Sequence, residues 1–339
     1  RLYFKKESSI KKIIGDFLYL YLTSIYIFVN LDCIIFLAKS MSTTNFSFSN
    51  SQIATLVHSG EDYFYRLEKI ILESKSEIHI QTYILDFDKT GKRIIEALKK
   101  AAAKNVKIHI LLDGFGSFSF PEKEIENLNK IGIDIRLFSS FFSTNSLYIG
   151  RRLHHKLVVA DSKIALIGGI NIADKYRGTG KSTPWLDYAV EVNDSKIAES
   201  LQELCRDIFF KNRIIRRKKI ESTYENEAIN CISVLQNDWL KRKNQVFKSY
   251  INKISSAKNE IIIASSYFLP GKRLINALIK ASQKGVKIKL ILSGISDVPM
   301  ARRASCHLYT KLLRYNIELY EWKKSVLHGK IAVIDSNWT

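Results

Sequence analysis

The sequence predicts an α/β protein made of two similar lobes. Two observations carry that expectation. A helix–strand unit occurs twice: GKRIIEALKKAAAKNVKIHILLDG at 91–114 and GKRLINALIKASQKGVKIKLILSG at 271–294, with 14 of 24 aligned positions identical and no gap. A shorter pattern, His-x-Lys-x-x-x-x-Asp, also occurs twice, at 154–161 and 328–335, 174 positions apart. With 339 residues the chain is long enough for two full cores, and 46% apolar with 25% charged residues is a globular composition.

Ahead of the first repeat, 63–74 reads as a helix and 78–85 as a strand; 245–256 and 261–268 are their counterparts in the second half. Within the repeat, Ile94, Ile95, Leu98 and Ala102 share one helical face. The helix is expected to stop at Asn105, and its copy at Gly285, because Asn and Gly best tolerate the left-handed residue after a helix. The runs 106–112 and 286–292 then read as buried strands. Shorter helices follow at 122–130 and roughly 301–314, then strands at 134–138 and 317–320, then the motif strands. Each half thus alternates helix and strand and closes with a β-hairpin. The divisions expected are a first lobe at 41–210, a basic linker at 211–219 (KNRIIRRKK) and a second lobe at 220–339, cut short at its C-terminus.

Residues 1–40 stand apart. The first methionine is Met41, and 17–38 is a 22-residue apolar stretch behind Lys5, Lys6, Lys11 and Lys12. That length spans a bilayer, with the basic flank inside. Against it, Asp32 would cost roughly 2.5–3.5 kcal/mol near the centre of a span, less at its off-centre position. Two readings stand: a membrane anchor, or upstream sequence that is never translated. Both ends together read as a translated gene fragment.

The net charge of +20 points to an anionic partner: nucleic acid, an anionic lipid surface or a phosphorylated substrate. The four cysteines are scattered without a CxxC pair, so neither a zinc site nor a disulfide framework is indicated.

The repeated motif carries the chemistry. Side chains alternate faces along a strand, so His154 and Lys156 share one face, as do His328 and Lys330. His155 points the other way and is assigned no catalytic part. Asp161 lies seven residues past His154, about 23 Å along an extended strand, where a turn is needed. Its expected role is support of the hairpin. Beyond it, Gly168 and Gly169 allow close backbone approach, and Asn171 can donate an amide hydrogen bond toward the start of the strand.

A doubled His–Lys pair suits phosphodiester chemistry. The lysines neutralise phosphate oxygens, one histidine attacks phosphorus, and the other protonates the leaving alcohol and deprotonates the incoming one. No metal or other cofactor is required. Asp187, at the start of the apolar run 188–192, is the candidate carboxylate to fix the tautomer of the attacking imidazole; a strand-capping role is the alternative. His79 and His109 alternate with isoleucines and are assigned to structure. His58 and His307 carry no signal. No Asp/Glu/His cluster with metal-ligand spacing stands out.

These residues resemble the phospholipase D superfamily, and among its members bacterial cardiolipin synthases. The resemblance runs over about 41–339 and rests on HHKLVVAD with Gly-Gly-Ile-Asn at 168–171, LHGKIAVID, Tyr83-Ile84-Leu85, the turn Asp113-Gly114-Phe115-Gly116-Ser117, Pro184-Trp185-Leu186-Asp187 and Ser266-Tyr267-Phe268-Leu269-Pro270-Gly271. It implies two lobes of mixed sheet flanked by helices, forming a pseudo-dimer with the active site at their interface. It implies His154 as nucleophile, His328 as acid and base, Lys156 and Lys330 as phosphate ligands, and a phosphate contact from Asn171. Asp161 and Asp335 count among the family's active-site residues. This chain departs from the family at Gly169, where many members carry serine, and the second copy's Gly-Ser-x-Asn would fall beyond Thr339.

The function expected is phosphatidyl transfer between two phosphatidylglycerol molecules, giving cardiolipin through a phosphohistidine. The place expected is the cytoplasmic face of the cell membrane, on an anionic phospholipid surface, held peripherally or by an N-terminal anchor. The alternatives are a phospholipase D that uses water as acceptor, a nuclease of the same superfamily that binds nucleic acid, and a degenerate lipid-binding module.

Overall fold

The computed structural model describes residues 34–38, 53–138, 152–180, 182–210, 231–235, 237–238 and 243–339. The chain divides into two compact units, Asn50–Ile220 and Arg1–Ser49 with Glu221–Thr339. In chain order the elements begin with β1 (Ile34–Ala38), which belongs to the second unit.

The first lobe follows with β2 (Ala54–His58), α1 (Glu61–Glu73), β3 (Glu77–Thr82), α2 (Lys89–Ala102), β4 (Lys107–Asp113), α3 (Glu122–Lys130) and β5 (Ile133–Phe138). After these come β6 (Lys156–Ala160), β7 (Ile164–Gly168), α4 (Asp174–Arg177), β8 (Tyr188–Val192) and α5 (Ser195–Phe209). Its seven strands lie in the order β2-β8-β7-β6-β3-β4-β5. The β3, β4 and β5 strands run parallel, and the rest pair antiparallel. Alternation along β3 explains the layers. Ile78 and Ile80 face a core with Leu67 of α1 and Ile94 and Leu98 of α2. His79 and Gln81 face the other way, where His79 meets Phe209 and Gln81 Nε2 donates to the Cys205 carbonyl of α5.

The second unit continues with β9 (Cys231–Leu235), β10 (Asn237–Asp238), β11 (Lys243–Asn244), α6 (Gln245–Ser256), β12 (Glu260–Ser265), α7 (Lys272–Gln283) and β13 (Lys287–Ser293). It closes with α8 (Pro299–His307), α9 (Tyr309–Arg314), β14 (Glu318–Trp322) and β15 (Lys330–Ile334). Its main sheet has the order β14-β13-β12-β15, which repeats β5-β4-β3-β6 of the first lobe with the same strand directions. The second lobe has its own core, around Leu278, Leu290, Leu312 and a fully buried Trp338. The β1 strand pairs antiparallel with β9, Ile34 opposite Leu235.

Asn105 and Gly285 take φ of 63° and 89°, the left-handed stops expected of them. Four expectations need correction. The strand expected at 78–85 stops at Thr82, because hydrogen bonds from other loops take over the backbone of 83–86. Its copy, expected at 261–268, stops at Ser265. The single helix expected near 301–314 is two, broken at Leu308. His154 sits just before β6, not on it, since Thr82 opposite Lys156 is the last pair of that ladder. Of the apolar stretch 17–38, only 34–38 is described, as a strand; the rest of it and the expected linker 211–219 lie outside the described residues.

Candidate active site

The two half-sites are built on one register. Lys156 stands opposite Thr82 on β3, and Lys330 opposite Ser265 on β12. Both lysines curl back onto the main chain of their histidine. Lys156 Nζ donates to the His154 carbonyl at 3.0 Å, and Lys330 Nζ to the His328 carbonyl at 2.7 Å. An ammonium held at the main chain of a histidine places a cation at each motif, a group suited to binding an anion. Lys156 is buried, at 2% exposure, as is His328 at 8%.

Tyr83, immediately past β3, packs on the first pair. Its ring centroid is 4.9 Å from that of His154 and 5.2 Å from Lys156 Nζ. Burial, then the charge of Asp113, raises its phenol pKa, with Arg152 opposing. The turn Asp113–Ser117 locks Tyr83 in place. Ser117 Oγ accepts from Leu85 N and donates to the Tyr83 carbonyl, both at 3.0 Å. Gly116 lies so close that a Cβ there would stand 2.3 Å from the Tyr83 carbonyl oxygen, which is why the turn needs glycine.

Asp113 couples this turn to the motif. Its Oδ1 accepts from Phe115 N and Gly116 N at 3.0 and 2.9 Å, and its Oδ2 from Leu153 N at 2.7 Å, one residue before His154. In the second lobe Ser293 takes that place, its Oγ accepting from Leu327 N at 3.2 Å. In the sequence, Tyr83 and the Asp113 turn carry the family resemblance without a role of their own. The signal was present: an aspartate heading a glycine-rich turn at the end of a buried strand.

Asn171 is buried and doubly anchored. Its Oδ1 accepts from Ile84 N at 3.1 Å, which fixes the amide's orientation, and its Nδ2 donates to Tyr176 Oη at 2.8 Å. The second Nδ2 hydrogen is the one the amide has for an oxyanion. Asp187 is buried beside Gly169. A Cβ at Gly169 would stand 2.3 Å from Asp187 Oδ1 and 2.6 Å from Oδ2. The departure at Gly169 therefore has a physical reason: the Asp187 carboxylate fills the space a serine would need. Asp187 Oδ1 also accepts from Tyr188 N at 2.8 Å. Burial, then the Asp187 charge, pushes the phenols of Tyr63 and Tyr188 well above their usual range.

Asp161 and Asp335 lie at the far ends of their strands. Asp161 accepts from Lys75 N, Ser76 N and Glu77 N at 2.8, 2.8 and 3.0 Å and from Ser76 Oγ at 2.7 Å. Asp335 accepts from Lys258 N, Asn259 N and Glu260 N at 2.7, 2.7 and 2.9 Å. Both take positive φ, 54° and 50°. Burial opposes the charge of Asp161, but the hydrogen bonds from Glu77, Ser76 and Lys75 outweigh it and hold its pKa below the ordinary aspartate value. These are clamps on the loop before the neighbouring strand, with their hydrogen-bonding capacity spent there. His155 faces α5, its Nδ1 2.8 Å from Gln81 Oε1.

Two α/β lobes, each carrying a lysine curled onto its histidine at the same ladder position, define a duplicated His–Lys phosphodiester-type protein. The matched family model, described as "Cardiolipin synthase, PLD-like domain", covers residues 67–208 and 250–339, and the chain belongs to this phospholipase D-like family. Transferase or hydrolase chemistry of the phospholipase D superfamily follows from that membership. Cardiolipin synthase B of Salmonella typhi is 31% identical over 293 residues, covering 84% of this chain and 70% of that protein. The cardiolipin synthase of Clostridium perfringens strain SM101 is 28% identical over 331 residues, covering 94% and 69%. The crystal structure of phosphatidylserine synthase from Haemophilus influenzae Rd KW20 shares the fold at a TM-score of 0.61 and 14% identity, covering 90% of this chain and 79% of that one. Among the described residues no helix is long and apolar enough to cross a membrane.

Proposed function

We propose that the protein is a phosphatidyltransferase that makes cardiolipin from two molecules of phosphatidylglycerol. The observation that carries this reading is the matched pair of half-sites, Lys156 on His154 and Lys330 on His328, in a chain whose curated relatives are named cardiolipin synthases. In this reading an imidazole nitrogen of His154 attacks phosphorus of the first lipid. The bond to the headgroup oxygen breaks, and glycerol leaves with a proton from His328. His328 then takes the proton of a hydroxyl on the second phosphatidylglycerol, whose oxygen displaces His154 and closes the phosphodiester. Lys156, Lys330 and the Asn171 amide bind the phosphate oxygens, and Asp187 holds the His154 tautomer. Asp161 and Asp335 take no reacting part.

The substrate surface is an anionic membrane, met peripherally at its cytoplasmic face. The net charge of +20 favours that surface, by about 1 kcal/mol for each lysine or arginine near it. The test is incubation of the full-length protein with phosphatidylglycerol vesicles. Cardiolipin and glycerol in equal amounts are expected, with a labelled phosphohistidine that His154→Ala abolishes. Phosphatidic acid without cardiolipin would assign the protein to the hydrolases instead. Cleavage of DNA with the lipid left intact would assign it to the nucleases.

A further inference from the structure

His79 and His109 lie 30 positions apart in sequence, and the parallel pairing of β3 and β4 sets them directly opposite each other. Their rings stack at 4.8 Å. Glu77, two residues before His79, shares their face, with Oε1 2.7 Å from His79 Nε2 and 3.7 Å from His109 Nε2. One donor atom from each of the three lies within 4.8 Å of the others. The cluster stands at the start of β3, about 16 Å along the strand from the end that carries Tyr83.

We propose that Glu77, His79 and His109 bind a divalent cation of the zinc class, at a site separate from the His–Lys half-sites. Two imidazoles and one carboxylate are a common zinc donor set that leaves a fourth position open. Tetrahedral zinc with bonds of about 2.0–2.1 Å sets neighbouring donors roughly 3.4 Å apart. The 2.7 and 3.7 Å separations from Glu77 Oε1 straddle that spacing, and all three donor atoms lie within 4.8 Å of one another.

The surroundings fit a ligated His109. Its Nδ1 is buried and makes no hydrogen bond among the described residues, yet Asp134, opposite it on β5, has Oδ2 3.8 Å away. With metal on Nε2, Nδ1 carries the proton and Asp134 is placed to accept it. Phe209 and Phe210 pack on the His109 ring at 5.1 and 5.2 Å and limit water.

Arg206 is the competitor. Its Nε is 3.1 Å from Glu77 Oε1, its Nη2 bonds Oε2, and its side chain is 47% exposed, so it can swing into solvent. The second lobe provides an internal contrast. Glu260 occupies the Glu77 position, but Ile262 and Lys289 replace the histidines, and Lys289 Nζ pairs with Glu260 Oε1 at 2.7 Å. A cation meets the glutamate in both lobes; only the first offers imidazoles.

The experiment is calorimetric titration of chelator-treated full-length protein with zinc alone. One site per chain is expected, with a Kd on the order of micromolar. His109→Gln, at a partly exposed position, is expected to weaken binding at least tenfold, while His154→Ala leaves it unchanged. Arg206→Gln is expected to tighten it about tenfold by removing the competing charge. A purely structural cluster would not give that gain. No binding tighter than about 100 µM, binding indifferent to His109→Gln, or binding weakened by Arg206→Gln would each overturn the proposal.

Discussion

In the first lobe the Lys156 amine lies on the His154 carbonyl under the ring of Tyr83, and Asp113 ties down the residue before the histidine. In the second, Lys330 lies on the His328 carbonyl in the same way, but Ser266 follows the neighbouring strand where the first lobe has Tyr83, and Ser293 stands in for Asp113. The frame is duplicated and its reinforcement is not. An acidic side chain and an aromatic ring support the approach to the first histidine, whereas at the second a serine hydroxyl takes the place of the acid. The contrast gives His154, the proposed nucleophile, and His328, the proposed acid, different surroundings.

The largest expected effect separates the two histidines. His154→Ala should lose at least about 10⁴-fold in turnover and all labelled enzyme. His328→Ala should lose turnover while still forming the adduct with a substrate whose leaving group needs no proton. Equal labelling in both variants, followed by rapid quench, would erase the distinction between the lobes. Next come the lysines. Lys156→Ala and Lys330→Ala should each cost about 10²–10³ in kcat, as loss of an oxyanion partner does.

Gly169→Ser should act in the first lobe alone, by forcing Asp187 from its place. We expect a ten- to hundredfold fall in kcat that Asp187→Asn reproduces and does not add to. Additive losses would mean that Gly169 and Asp187 act independently. For the clamps, Asp161→Asn and Asp335→Asn should each lower stability by about 2 kcal/mol in urea melts. Because Asp161 has a lowered folded-state pKa, its contribution is full above the unfolded value and fades as pH falls through the folded one. The gap between wild type and Asp161→Asn should shrink in acid accordingly. The smallest effects belong to Tyr83 and Ser266. Tyr83→Ala should cost about 1 kcal/mol of transition-state binding through the lost contact with Lys156, and Tyr83→Phe much less. Ser266→Ala should be neutral or slightly stabilising, since its Oγ is buried without a hydrogen-bond partner among the described residues.

The repeat and both His–Lys pairs were legible in sequence because they are local: adjacent turns of helix, or a histidine two residues before the lysine that opens a strand. The left-handed stops at Asn105 and Gly285 were legible for the same reason. What escaped depends on partners far along the chain. The premature end of β3 follows from Ser117 and Asn171, 32 and 87 positions from the residues they hold. The reach of Asp113 to Leu153 spans 40. His79 and His109 looked like ordinary strand residues until the register of two parallel strands set them face to face. The place of Asp161 at a turn was readable from strand geometry, though which backbone groups it would bind was not.

The clamps also change how the motif's spacing is understood. From the bond between Asp161 and the loop before β3 to the pair of Lys156 with Thr82, the motif measures one full crossing of the sheet. The six residues from Lys156 to Asp161 act as a ruler, anchored at one end so that the other arrives at a set depth. A single residue inserted between Lys156 and Asp161 would leave every chemical group present. It would nonetheless turn histidine and lysine to the opposite face of the sheet.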